Sequence, residues 1–191
     1  MNNLLCIEPI GTPDRLRQHV TEEELRQAGA LGTARRQAEF LSWRAIVRRH
    51  LPGAEIAYDA VGAPQVRNHP VRIGVSHGAG YVAVCFSERR CAVDIESPRR
   101  DFARIAPRFA TAEERALRDD PLLLPLLWCA QETLYKYAGR RELRLLEDLR
   151  IERIDMAERR MTGRILGGEP LRIDFRCEAD YAAAWILHEA D

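Results

Sequence analysis

The sequence predicts an α+β fold. Helical periodicity with recognisable caps is confined to a few segments, short apolar runs separated by brief turns fill the last third of the chain, and no strand–helix–strand unit repeats as a parallel sheet requires. Length allows one domain or two small packed halves.

Leu4 to Ile7 reads as a short buried strand, and Thr21 to Ala28 (TEEELRQA) as a helix with a Thr cap and an acidic first turn. From Thr33 to His50, Phe40, Leu41, Ala45 and Val47 recur at near-helical spacing among arginines, and the run stops at Pro52-Gly53. Glu55 to Asp59 reads as a strand, Gly62 to Pro64 as a turn, and Asn68 to Pro70 as a break, dividing the chain into 1–70 and 71–191. IGVS, YVAVCFS and CAVDIE follow as adjacent strands, the last two joined by a polar SERR hairpin turn. Phe102 to Phe109 and Thr111 to Leu117 suggest helical segments, the second opened by Thr111 with Glu114 three residues on. The strongest helix runs from about Leu122 to Gly139; beyond it LRIERID, MTGRIL, LRIDF and YAAAWILH alternate with the turns MAERR, GGEP and RCEAD, the pattern of antiparallel strands.

Composition excludes several classes. The chain carries 29 basic and 29 acidic residues, and zero net charge argues against a nucleic-acid-coating protein, which needs excess cations facing phosphates. The longest apolar run, Leu122 to Ala130, is interrupted by Pro125 and falls short of the roughly 20 residues that cross a bilayer, so no membrane association is expected. The start, MNNLLCIEPI, lacks the basic n-region of a secretory signal. Cys6, Cys85, Cys91, Cys129 and Cys177 are odd in number and never spaced CxxC, so neither a disulfide framework nor a zinc site is signalled and a reducing cytoplasm is expected. Of the 29 basic residues all but Lys136 are arginine, and arginine does not substitute where a compact ammonium must fit.

Four groups of residues carry chemical potential. In CAVDIE, strand alternation projects Asp94 and Glu96 from one face and Val93 and Ile95 from the other. Two carboxylates about 5 Å apart at an effective dielectric of about 20 repel by about 3 kcal/mol, which a cation offsets; a strand end emerging into water fits the same pattern. In WCAQETLYK, Trp128, Glu132 and Lys136 fall at i, i+4 and i+8 on one helical face, a third acid beside the sole lysine, or an ordinary solvated ion pair. In IGVSHGAGY, Ser76 and His77 end a strand before two glycines, suited either to an anion or to closing a loop. In RRQAEFLSWR, Arg36 and Arg44 stand eight residues apart on one face, suited to phosphate or to solvent.

In order and spacing these four groups resemble the 4'-phosphopantetheinyl transferase superfamily, in its pseudo-dimeric surfactin-synthetase-type branch. The matching pieces are R-x-x-E-F-L-x-x-R, the S-H strand end, CAVDIE for (V/I)-G-(V/I)-D-(I/L)-E, the R-F stretch before an acid, and W-x-x-Q-E-x-x-x-K for W-x-x-K-E-x-x-x-K, over roughly residues 33 to 140. The resemblance implies two similar lobes, each a small antiparallel sheet on a long helix, with a coenzyme A cleft between them. It implies transfer of the 4'-phosphopantetheine arm of coenzyme A to a serine of an apo acyl or peptidyl carrier protein, with release of 3',5'-ADP, by a monomer. By the same analogy Asp94, Glu96 and Glu132 hold Mg2+ and Glu132 is the base toward the serine. Asp94 and Lys136 complete the catalytic set, with Lys136 neutralising phosphate charge. Ser76 and His77 meet the pyrophosphate or 3'-phosphate region, and Arg36 and Arg44 grip the 3'-phosphate end.

The departures are also informative. Gln131 stands where the family usually has lysine, which implies a lost positive charge beside the metal site; Ala92 replaces a glycine; and the basic residue often found near Gly62-Ala63-Pro64 is missing, with Arg67 or Arg72 as substitutes. Glu114 is the candidate for the family's additional acid, or a helix N-terminal carboxylate. Two alternatives stay open: a coenzyme A or carrier-protein binding module with little catalysis, motivated by Gln131, and another metal-dependent phosphoryl enzyme.

Overall fold

In the computed structural model, which describes residues 3–188, the strands form three antiparallel sheets. The order along the chain is β1 (Leu4–Pro9), α1 (Pro13–Leu16), α2 (Glu22–Gly29), α3 (Ala34–His50), β2 (Ile56–Tyr58), β3 (Pro64–Val66), β4 (Arg72–Gly78), β5 (Tyr81–Ser87) and β6 (Ala92–Glu96), then α4 (Ala112–Arg115), α5 (Leu123–Ala138), α6 (Leu145–Asp148), β7 (Leu149–Asp155), β8 (Arg160–Ile165), β9 (Leu171–Cys177) and β10 (Ala182–Ile186). The α+β expectation holds. Among the described residues no helix is long and apolar enough to cross a membrane.

The first sheet, ordered β1-β5-β4, is covered by α3, whose Trp43, Ile46 and Val47 pack on Ile73, Val82, Val84 and Phe86. The second, ordered β6-β10-β9-β8-β7, is covered by α5, whose Leu126, Leu127, Ala130 and Leu134 meet Ile151, Met161, Ile173 and Phe175. Complete burial of each large apolar side chain contributes about 2 kcal/mol. A third apolar cluster joins the two sheets through the opposite face of β5: Ala83 and Cys85 touch Val93 and Ile95 of β6 and Ala183 of β10.

Helix boundaries follow local chemistry. The Thr21 and Glu24 pair closes a capping box on α2, Thr33 accepts from the Arg36 amide at the start of α3, and Gly139 ends α5 in the left-handed conformation at φ 64°. Each side-chain cap satisfies an amide that the helix cannot pair itself.

Several expectations change. β5 and β6 are not a hairpin: β5 pairs with β1 and β4, while β6 pairs with β10 from the far end of the chain, so residues 88–91 carry the chain from one sheet to the other. Burial decided this, because Val93 and Ile95 face β5 across the third cluster instead of bonding beside it. The segment Phe102 to Phe109 forms only a short 3-10 turn at Ala106–Arg108, since Pro107 lacks an amide hydrogen and disfavours a helical Ala106; its two phenylalanines are buried nonetheless. The turn at Gly62 to Pro64 leads straight into β3, which pairs with β2, and the short α1 and α6 lie where no helical period was legible.

Candidate active site

The site lies where edge strand β4 crosses edge strand β6. Gly74, Ser76 and Gly78 alternate onto the face of β4 that meets β6, and the two glycines make the approach possible. A Cβ on Gly74 would fall 2.9 Å from Ala92 Cα, and one on Gly78 would fall 2.3 Å from the Ile95 carbonyl oxygen. With the backbones this close, Ser76 Oγ donates to Asp94 Oδ1 at 2.8 Å.

Helix α5 supplies the third element. Lys136 Nζ lies 2.7 Å from Asp94 Oδ1, 3.0 Å from Ser76 Oγ and 3.2 Å from the Val93 carbonyl oxygen, so all three of its hydrogens have acceptors. Asp94 is 5% exposed, and its other oxygen, Oδ2, is buried without a partner. Glu96, on the same face of β6, pairs with Arg100 at 2.9 Å, and the Arg100 guanidinium lies 5.0 Å above the Trp128 ring. Between these two clusters stands Glu132. Burial pushes its carboxyl above the ordinary value of 4.5, Asp94 and Glu96 push it further, and Lys136 and Arg100 pull the other way. Asp94, Glu96, Glu132 and Lys136 therefore act on one another electrostatically. Among the described residues, however, no group of three His, Cys, Asp or Glu side chains stands in a geometry that could hold a metal ion.

Beside this cluster a cavity of about 520 Å³ lies against α3, with Asp94, Lys136, Ser76 and His77 in its wall. Phe40, Trp43 and Tyr58 wall it with aromatic rings, and Arg36 also lines it. His77 Nδ1 is 3.4 Å from Glu39 Oε2, whose partner oxygen accepts from Arg35 Nε at 2.8 Å. A second basin, lined by Arg35, Arg36, His77, Glu96 and Arg100, continues over the β4–β5 turn.

Arg44 is placed differently from its helix partner. It is 2% exposed and absent from the cavity wall. Its Nη1 donates to the Phe40 carbonyl at 3.2 Å, its Nη2 to the Tyr58 hydroxyl at 2.6 Å, and its Nε lies 3.6 Å from Glu24. Burial lowers its pKa, with Tyr58 and Glu24 acting against that. Gln131 also differs from expectation. It is 0% exposed on the core face of α5, and its Nε2 donates to Glu114 Oε1 at 2.9 Å. One residue along a helix turns the side chain by about 100°, so Gln131 points away while Glu132 faces the acids. Glu114 accepts in addition from the amides of Ile151 at 2.7 Å and Thr111 at 2.7 Å, which makes it a buried brace between α4, α5 and β7.

Arg36, Ser76, His77, Asp94, Glu96, Glu132 and Lys136 are thus brought to one continuous region, and Arg44 lies behind its wall. Sequence reasoning missed Tyr58 and Arg100. Tyr58 sits on a three-residue strand with no motif of its own, and the signal for Arg100 was its i+4 spacing from Glu96. Residues 90–186, just over half of the chain, match the family model described as the 4'-phosphopantetheinyl transferase superfamily. No curated protein matches the chain.

Proposed function

Because the chain belongs to the 4'-phosphopantetheinyl transferase superfamily, we propose that it transfers the 4'-phosphopantetheine arm of coenzyme A to a serine of an apo acyl or peptidyl carrier protein, releasing 3',5'-ADP. The observation that carries this reading is the Lys136, Asp94 and Ser76 cluster in the wall of a cavity that aromatic rings also line, with Glu132 acting on it electrostatically. A cavity with aromatic rings, cations and a polar cluster in its wall suits a nucleotide whose phosphates meet the polar groups. The surfactin-synthetase-type branch is supported by a helix-covered sheet occurring twice in one chain. In that reading the first lobe extends past residue 70 to Ser87, because β4 and β5 pair with β1. A monomer suffices, since one chain supplies both sides of the cleft.

In the transfer, the serine oxygen forms a bond to the phosphorus bearing the pantetheine arm, and the phosphoanhydride bond to the nucleotide breaks. Glu132, the carboxylate that acts electrostatically with Asp94 and Lys136, receives the serine proton. Lys136, freed from part of its pairing with Asp94, neutralises charge on the departing phosphate. Ser76 and His77 border the pyrophosphate, and Arg36 meets the 3'-phosphate.

Asp94, Glu96 and Glu132 would hold Mg2+. The chemistry of the donor set fits, three carboxylates of the kind hard cations take with Asp94 Oδ2 buried and unpartnered, but the three are not gathered about one point in this structure, so binding would have to draw Glu96 and Glu132 toward Asp94. When bound, the ion would polarise the phosphoryl oxygens and offset the negative charge of the acids. Because Gln131 faces the core, its replacement of lysine gives no ground for a catalytically weak binding module.

The test is intact-mass spectrometry of apo carrier proteins incubated with the protein, coenzyme A and Mg2+, beside an Asp94→Ala control. A phosphopantetheine mass gain that requires both metal and Asp94 is expected. Coenzyme A binding with no gain on any carrier would argue for a binding module instead.

A further inference from the structure

The cavity beside α3 is walled by Phe40, Trp43 and Tyr58, and all three rings converge on one buried guanidinium. The Arg44 carbon Cζ lies 3.3 Å from the Phe40 ring centroid, 4.0 Å from that of Trp43 and 5.8 Å from that of Tyr58. Its polar edges are occupied from within by the Phe40 carbonyl, the Tyr58 hydroxyl and Glu24. Recognition of a phosphate by arginine needs a fork of donors turned toward the anion. Arg44 turns none toward the cavity, since it does not line it.

Tyr58 has the opposite character. The residue is 52% exposed on a short two-stranded hairpin, and among the described residues the hydrogen bond its phenol oxygen makes is the 2.6 Å one from Arg44. Because Arg44 donates to the phenol oxygen, the phenol hydrogen is free to be given elsewhere. A ring in a cavity wall with a hydrogen to donate suits a planar heterocycle bearing acceptor nitrogens.

We propose that Arg44 is a positioning residue that never touches the phosphates of coenzyme A, and that it holds Tyr58 as a wall of the cavity that contacts the adenine ring. The inference rests on the coenzyme A reading above and assigns the ring-recognising residue within it. Arg36, which does line the cavity, is left as the helix's phosphate contact.

Two ligands separate these roles: coenzyme A and 3'-dephospho-coenzyme A, which differ only in the 3'-phosphate. Calorimetric titration of the full chain with each is expected to show Tyr58→Phe and Arg44→Lys weakening both ligands by the same factor, about three- to tenfold. The preference for coenzyme A over its dephospho form stays at the wild-type ratio. The double variant binds no worse than the weaker single variant, because the two substitutions remove one arrangement. Arg36→Ala, by contrast, collapses the ratio. An Arg44→Lys protein that loses affinity for coenzyme A alone would overturn the proposal, as would a Tyr58→Phe protein binding both ligands like wild type. Tyr58→Phe keeps the ring and the buried guanidinium, so it remains informative if Arg44→Lys does not fold. Wild-type protein that binds neither ligand would overturn the coenzyme A reading itself, and the wild-type titration shows that separately from the variants.

Discussion

Lys136 Nζ and Asp94 Oδ1 stand 2.7 Å apart, which ties the chain's single lysine on α5 to the middle of β6. The same ammonium reaches Ser76 on β4, so one point charge links a helix to edge strands of both large sheets. Arginine's planar fork is longer and wider than an ammonium and does not fit between these acceptors. Lys136→Arg is therefore expected to lower transfer by at least about a hundredfold while leaving the protein folded. Single-turnover transfer to a carrier protein, with circular dichroism as the folding control, checks this.

Glu132 links pH to both stability and rate. Its folded pKa is raised above 4.5, so the folded protein holds the proton where the unfolded chain has released it. Stability from this group is accordingly full below about pH 4.5, falls as pH rises through the raised folded value, and stays lower above it. In protein free of Mg2+, Glu132→Gln should raise the melting temperature at pH 7 and give no increase at pH 4, while abolishing transfer when Mg2+ is supplied. A variant destabilised at pH 7 would contradict the raised pKa.

Glu24 shows the opposite sign. Burial pushes its pKa up, but the hydrogen bond and charge of Arg48 and the Thr21 cap outweigh it, and the net shift is downward from 4.5. The stability it supplies is present above about pH 4.5 and is lost as pH falls through the depressed folded value. Glu24→Gln leaves Arg44 and Arg48 without their shared anion and should cost about 3 kcal/mol at pH 7. Urea denaturation at neutral pH and near pH 3 measures it; the difference between wild type and variant should shrink at the lower pH.

Gln131 should matter to the fold and not to the chemistry. Gln131→Leu removes one of the donors to the buried Glu114 carboxylate and is expected to cost about 2 kcal/mol in urea denaturation. Transfer by the fraction that remains folded should match wild type within about twofold. A selective loss of transfer would place Gln131 in the reaction after all.

Gly78 tests the crossing of the two edge strands. Its substitution by alanine sets a methyl carbon 2.3 Å from the Ile95 carbonyl oxygen, a backbone atom that cannot move without shifting β6. Gly78→Ala should destabilise by more than about 2 kcal/mol and weaken coenzyme A binding, because Ser76 moves with it. Gly32→Ala, with no atom within 4 Å, should lie within about 0.5 kcal/mol of wild type.

The sequence by itself determined the elements whose cause is local. Caps at Thr21, Thr33 and Thr111, the stop at Gly139 and the alternation that puts Asp94 and Glu96 on one face all depend on neighbours within a turn or along one strand. Grouping Trp128, Glu132 and Lys136 on one side of a helix was legible for the same reason, since a fixed period decides it. Only the tertiary structure decided which strand β6 pairs with, where Arg44 spends its donors, and which way Gln131 faces. Each of these depends on what lies across a core. β6 finds β10 because Val93 and Ile95 must be buried against β5, and Arg44 turns inward because Glu24, Tyr58 and Phe40 surround it. Helix spacing gave Arg36 and Arg44 the same face. Burial gave them different surroundings, because a charge beside a buried carboxylate and a phenol is satisfied by the protein, whereas one at a cavity wall stands open to a ligand.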